Sequence, residues 1–181
     1  MIAEKCQSDL GSSAVSLRYF NPAGAHQSRL IGEHPLGIPG NLIPFLGQVA
    51  VGIRDRLKIH GDDYDIPGGS CIRDYIHVVD LARGHLAALH WQQPGAHTFN
   101  LVTGRGSSVL ETVAAFREAT GVDIPIRIGP RRLGDVDISY ADVSLAADQL
   151  AWQSEFALDD ICRDTYRWQQ MNPDGFPPKD S

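Results

Sequence analysis

The run Leu17-Arg18-Tyr19-Phe20-Asn21-Pro22-Ala23-Gly24-Ala25-His26 decides the fold. Residues 15–20 are mostly apolar, β-branched or aromatic, the composition of a buried strand. Pro22 has no N–H for a sheet ladder and biases Asn21 towards extended geometry, so the strand is expected to stop there. Gly24 then lets the chain turn without a side-chain penalty. A strand ending in Asn, Pro and Gly delivers polar groups to the carboxyl edge of a sheet, where open α/β sheets bind ligands. The same ten residues would also serve as an ordinary strand-to-loop exit.

Working outward, strands and helices alternate. Residues 1–10 read as the last turns of a helix stopped by Gly11, with no N-cap before Ile2, so the helix is expected to begin ahead of Met1. Residues 21–39 read as a long loop rich in Gly, Pro and His, and such loops are functional or disordered. Residues 41–51 predict a helix with Leu42, Pro44, Phe45, Leu46, Val49 and Ala50 as its apolar stripe. Strands are expected over 57–60, 72–76, 97–102 and 124–128. Helices are expected over 78–91 (apolar at Leu81, Ala82, His85, Leu86 and Leu89), 108–120, 143–150 and 158–171, with a fraying tail from Asn172. The alternation gives an α/β class.

A chain of 181 residues can build one domain, or a domain and part of another. Its 43% hydrophobic and 21% charged residues are ordinary for a globular protein. A net charge of −6 argues against a nucleic-acid partner yet leaves room for local arginines on a phosphate. Cys6, Cys71 and Cys162 are few, far apart and without metal spacing, and the histidines are scattered, so no metal is expected and a reducing cytoplasm is. No apolar run suggests a signal peptide or a membrane span.

Three stretches could carry chemistry. Gly104-x-Gly106-x-x-Val109 imitates a dinucleotide fingerprint, but Val109 stands where Gly or Ala is needed, and Ser107 or Ser108 suits a helix N-cap better. Arg131-Arg132-x-Gly134-Asp135 offers guanidinium forks for phosphate and a carboxylate for a sugar hydroxyl, or else forms a solvated surface loop. Residues 72–78 send Arg73, Tyr75 and His77 to one strand face, with Arg73 either a phosphate ligand or paired to Asp74 or Asp80. The three lysines, Lys5, Lys58 and Lys179, have Met1, Arg54 and Gly175 four positions earlier, so these residues contain no Tyr-x-x-x-Lys pair. No complete Gly-rich phosphate loop and no G-x-S-x-G elbow is present either.

Together these stretches resemble the UDP-glucose 4-epimerases of the extended short-chain dehydrogenase/reductase family, with LRYFNPAGAH (17–26), GEHPLGIPGNLIP (32–44), RDYIHVVDL (73–81) and PRRLGD (130–135) the most specific blocks. The resemblance covers the C-terminal half of that family. It implies the C-terminal part of a Rossmann-like NAD-binding fold plus the smaller substrate-binding domain. Residues 1–22 would end the Rossmann-like domain, and 23–181 would form mainly the UDP-sugar-binding domain, with about 78–105 returning to the Rossmann-like sheet. It implies an isomerase that interconverts UDP-glucose and UDP-galactose through a transient 4-keto sugar and bound NAD, in a cytoplasmic homodimer. The catalytic Tyr and Lys would lie ahead of Met1, so no catalytic residue is expected in this chain.

Position by position, the resemblance places Phe20 and Tyr19 beside the nicotinamide and Asn21 on the sugar nucleotide. Asn41 and Leu42 would hold the diphosphate or ribose region, and Lys58, Ile59 and His60 would flank the uracil. Arg73 and Arg132 would clamp the diphosphate, and Asp135 would accept from the ribose. Ser139 stands where a bulky Tyr would exclude an N-acetyl group, which implies tolerance of UDP-N-acetylhexosamines. The alternatives are another NAD-dependent sugar-nucleotide enzyme, such as a dehydratase, and a non-catalytic UDP-sugar-binding fragment. As a half, the chain would expose an unpaired edge along residues 15–20 and would bind a partner, aggregate or fold poorly.

Overall fold

The computed structural model describes residues 4, 6, 9 and 11–176, so most of the helix expected over 1–10 and the end of the tail lie outside the described residues. In chain order the elements are β1 (Ser13–Arg18), β2 (Asn21–Ala23), α1 (Leu42–Ala50), β3 (Leu57–His60), β4 (Ile72–Arg73), β5 (Tyr75–His77), α2 (Val78–Leu89), β6 (Gly95–Asn100), β7 (Ser107–Ser108), α3 (Val109–Thr120), β8 (Ile126–Gly129), β9 (Ile138–Ser139), α4 (Ser144–Leu150) and α5 (Leu158–Met171). The class is α/β. Among the described residues, the strands form parallel pairs β1–β6, β2–β5 and β3–β8 and a small sheet ordered β7–β4–β9. No described helix is long and apolar enough to cross a membrane.

The opening run folds differently from its expectation. The first strand pairs in register from Ser13↔Gly95 to Arg18↔Asn100 and stops before Tyr19. After a two-residue break the chain is extended again, with Asn21↔Tyr75, Pro22↔Ile76 and Ala23↔His77 in register. Pro22 therefore lies inside a strand. It is tolerated because β2 has a single strand partner among the described residues, and proline fits an edge strand. Gly24 follows at φ +93°, where a Cβ would sit 2.9 Å from the His77 ring.

Two apolar cores hold the layers. In one, α1, α3 and α5 pack on β3 and β5 through Ile43, Leu46, Ile59, Phe116 and Ile161, all 2% exposed or less. Each such side chain contributes about 1.5–3 kcal/mol by leaving water. Ile161, Thr165 and Trp168 are buried along one face of α5, as their spacing predicts. Pro44, Leu46 and Val49 of the expected stripe of α1 are buried, joined by Ile43, Gly47 and Gln48, while Leu42 and Phe45 are partly buried and also line a cavity. The second core joins Ile76, Phe99, Leu101, Ala146 and Trp152, with the Trp91 ring edge-on to Phe99 at 5.4 Å.

Helix α2 keeps Leu81 of its expected stripe against the second core, but Leu86 is 56% exposed and Leu89 77%. Its inner face carries Asp80 and Gly84. The Asp80 carboxylate accepts the N–H groups of Glu155 and Phe156 at 2.9 Å and pairs with Arg83 at 3.0 Å. Gly84 permits close approach, since a Cβ there would lie 2.5 Å from Leu101. Asp80 can occupy the inner face because its carboxylate is fully bonded there, since an unsatisfied charge could not be buried.

His77 braces β5, α2 and α5. Its Nδ1 accepts the Val79 N–H at 3.1 Å, which caps α2 and leaves the neutral ring's proton on Nε2. Nε2 lies 3.4 Å from Asp164 Oδ2, a close charge contact rather than a well-formed hydrogen bond, and the ring stacks on Phe156 at 4.3 Å. Burial, the largest influence, pushes the His77 pKa below 6.5 against the opposing pull of Asp164 and Asp80. The unfolded chain therefore takes up a proton near pH 6.5 that the folded chain refuses until lower pH, and stability falls as pH drops through that range. In urea titrations the unfolding free energy is expected to fall by up to about 1 kcal/mol per pH unit between about pH 6.5 and 5.5. The slope should flatten in His77→Gln; an unchanged slope would assign the proton to another group.

Candidate functional site

A cavity of about 400 Å³ opens where β2, β3, the residues around β4 and the start of α1 converge. Strands β3 and β8 run parallel and leave their ladder at the same end, so the loops after them bring His60, Gly61, Arg132 and Asp135 to one rim. This is the carboxyl edge, the ligand-binding edge of open parallel sheets. Asn21, Asn41, Leu42, Lys58, Ile59, His60, Arg73, Arg132 and Asp135 all line it.

Each wall has its own physical cause. The Asn21 side-chain amide donates to the Asp74 carbonyl at 2.8 Å, which fixes its orientation and leaves the amide oxygen as an acceptor. Asn41 occupies the N-cap position of α1 in extended conformation, but its side chain makes no cap bond, and no acidic residue stands in the first turn. The positive end of the helix thus opens on the cavity without neutralisation, an arrangement suited to an anion.

On β3, the N–H groups of Leu57 and Gly61 bond to the carbonyls of Pro125 and Gly129. Lys58 and His60 alternate with them and so present main-chain N–H and C=O at the open edge of the strand. Such an edge can hydrogen-bond a planar polar group.

Arg73 pairs with neither Asp74 nor Asp80. Its Nη1 donates to the carbonyls of Ile72 and Val136 at 2.8 and 2.7 Å, and its Nη2 stands 4.0 Å from Asp135 Oδ1. These bonds hold the guanidinium at the cavity wall. In the loop after β8, the Asp135 N–H donates to the Arg132 carbonyl at 3.3 Å, and Gly134 adopts φ +87°. That turn brings Arg132 and Asp135 to the same rim. Lys58, Arg73 and Arg132 against Asp135 leave the rim cationic on a chain of net charge −6.

Other expected residues lie elsewhere. Tyr19 and Phe20 sit beyond the carboxyl end of β1, 45% and 38% exposed, with the Tyr19 ring 5.9 Å from His85. Ser139 is placed opposite Arg73 in the β4–β9 ladder, outside the cavity lining, because residues 138–139 join a strand that the sequence did not suggest. His77, on the expected face with Arg73 and Tyr75, is enclosed in the core instead. Tyr75 does line the cavity, and burial pushes its phenol up to about 12, so it stays neutral. Phe45, from the expected stripe of α1, also lines the wall, as do Ser70, Cys71 and Val109, which have no signal in their spacing.

The Gly104–Gly106 stretch is structural. Ser108 and Glu111 form a capping box on α3, with bonds of 3.1 and 2.7 Å. The Asp74 carboxylate accepts the Gly104 N–H at 2.9 Å, and a Cβ at Gly106 would lie 2.4 Å from Ile72. The loop backbone is occupied from within.

The family model for the NAD dependent epimerase/dehydratase family matches residues 1–101. The UDP-glucose 4-epimerase of Homo sapiens is 52% identical over 178 residues, covering 97% of this chain and 51% of that protein. The enzyme of the same name from Dictyostelium discoideum is 49% identical over 179 residues, covering 97% and 52%. The crystal structure of UDP-glucose 4-epimerase from Bifidobacterium longum in complex with NAD+ and UDP superposes with a TM-score of 0.90 at 48% identity, over 96% of this chain and 52% of that one. The chain spans about half the length of the curated relatives it matches.

A rim of three cations beside a helix N-terminus is expected to hold a diphosphate. Pyrophosphate titrated by calorimetry should lose about tenfold in affinity on Arg73→Ala, and its affinity should fall with added salt. Binding indifferent to the substitution would place the anion elsewhere.

Proposed function

We propose, for a chain that belongs to the NAD dependent epimerase/dehydratase family, that the cavity binds the UDP part of a UDP-hexose and that the chain serves the 4-epimerisation of UDP-glucose and UDP-galactose. One observation carries this reading: Arg73, Arg132, the open N-terminus of α1 and the free edge of β3 converge on a single cavity. In this reading the two guanidinium forks and the helix end neutralise the diphosphate. Uracil lies against the open edge of β3 at Lys58 and His60, where main-chain groups match its donors and acceptors. Asp135 accepts from a ribose hydroxyl, and the Asn21 amide oxygen faces the sugar side. The chain's own contribution is orientation and charge neutralisation.

When bound, NAD supplies the hydride exchange at the sugar. The exposed rings of Tyr19 and Phe20 fit the flank of a nicotinamide. The Gly104–Gly106 loop does not fit its pyrophosphate, being occupied by Asp74 and Ile72. Tolerance of UDP-N-acetylhexosamines draws no support from Ser139, which lies outside the cavity lining.

A second reading, UDP-sugar binding without turnover, is favoured by the absence of any Tyr-x-x-x-Lys pair from these residues. Calorimetric titration with UDP, repeated with Arg132→Ala, tests what the two readings share: saturable heat is expected, with affinity about tenfold weaker in the variant. Absence of heat would refute both. Conversion of UDP-galactose to UDP-glucose on incubation with NAD would favour the first reading over binding without turnover.

A further inference from the structure

We propose that Arg131, clasped by Asp63 and Tyr64, is a latch that positions the loop bearing Arg132 and Asp135 over the cavity; this rests on reading the cavity as the UDP site. The β3–β8 ladder ends with the Gly61 N–H donating to the Gly129 carbonyl at 2.9 Å. Beyond that rung, Arg131 bridges the two departing loops. Its Nε donates to Asp63 Oδ1 at 2.9 Å, its Nη2 donates to the Asp63 carbonyl, and its guanidinium lies 4.1 Å from the centre of the Tyr64 ring.

The floor of the latch is firm. Tyr64 is 5% exposed, and its N–H donates to the Gly69 carbonyl at 3.0 Å. Gly61 sits at φ +85°, where a Cβ would come within 2.7 Å of both Arg131 Cγ and the Tyr64 ring, so the loops close only over glycine. The Cys71 thiol and burial push the Tyr64 phenol up to about 12, so the ring under the guanidinium stays neutral. Arg131 and Asp63 do not line the cavity, whereas Arg132, the next residue, does. Arg131 therefore acts through its neighbours. Its guanidinium is already engaged by Asp63, which separates it from a direct phosphate ligand.

The sign of one substitution distinguishes a latch from simple electrostatics. Asp63→Asn removes a negative charge near an anion site, so charge alone would tighten UDP binding, whereas loss of the latch would weaken it. In the full chain, Asp63→Asn is expected to weaken UDP binding about fivefold. Uridine should weaken in parallel, because Asp135 moves with Arg132. Without ligand, amide exchange over residues 130–136 should accelerate about tenfold, consistent with release of a local contact, and exchange over residues 13–18 should stay unchanged. Equal or tighter UDP binding in the variant would overturn the proposal, whatever the exchange shows. If the unsubstituted chain bound no UDP, the site reading would fail, and exchange alone would decide the latch: acceleration over 130–136 would support it and unchanged exchange would overturn it.

Discussion

Asp74 is the point on which the site depends. It is wholly buried between β4 and β5, and burial pushes its carboxyl pKa up. A carboxylate in that position is unfavourable unless every oxygen finds a donor. Thr103 supplies its N–H and hydroxyl at 2.9 and 2.6 Å, and Gly104 supplies its N–H at 2.9 Å. The Asp74 main chain works as well: its carbonyl accepts from Asn21, and its N–H donates to the Ser139 carbonyl. One residue thus ties β2, β9 and the Thr103–Gly104 loop to β4 and β5, which carry Arg73 and Tyr75. Residues 72–77 form two short strands because the partners change at Asp74, from β7 and β9 before it to β2 after it.

The cavity follows from this anchoring and from charge placement. The chain as a whole is acidic, yet Lys58, Arg73 and Arg132 arrive at one rim from three segments distant in sequence. A low-dielectric wall of Phe45, Ile59 and Val109 strengthens their field at the cavity. Of the acids on these loops, Asp63 is held by Arg131, and Asp135 stands 4.0 Å from Arg73 on the rim itself.

Much of this was legible in the residues. The amphipathic spacing of α5, the four residues of β3, and the helix between Asn41 and Gly52 agree with their expectations, because local periodicity and a glycine stop suffice to define them. The stretch around Pro22 departs from its expectation because β2 has a single strand partner among the described residues, which makes proline harmless there and is a tertiary fact. The stripe on α2 departs for a related reason: Asp80 and Gly84 face inward because partners at Glu155, Phe156 and Leu101, distant in sequence, accommodate them. The Ser139 strand was invisible, since two residues carry no periodic signal.

By itself, then, the sequence determined which chemical groups the protein has to work with and in which local frames they stand. It set guanidinium forks in the 130–135 loop and on the 72–78 stretch, a helix opening at Asn41, and an alternation that admits only an α/β class. Only the tertiary structure decided which of those groups meet. Arg73 turned to Asp135 rather than Asp74, His77 went to the core, Ser139 to a ladder, and Arg131 to a clasp beside its cavity-lining neighbour. Spacing sets which residues share a face of one element. Burial and hydrogen-bond satisfaction between elements select, among residues of the same type, those that reach the cavity and those that hold it open.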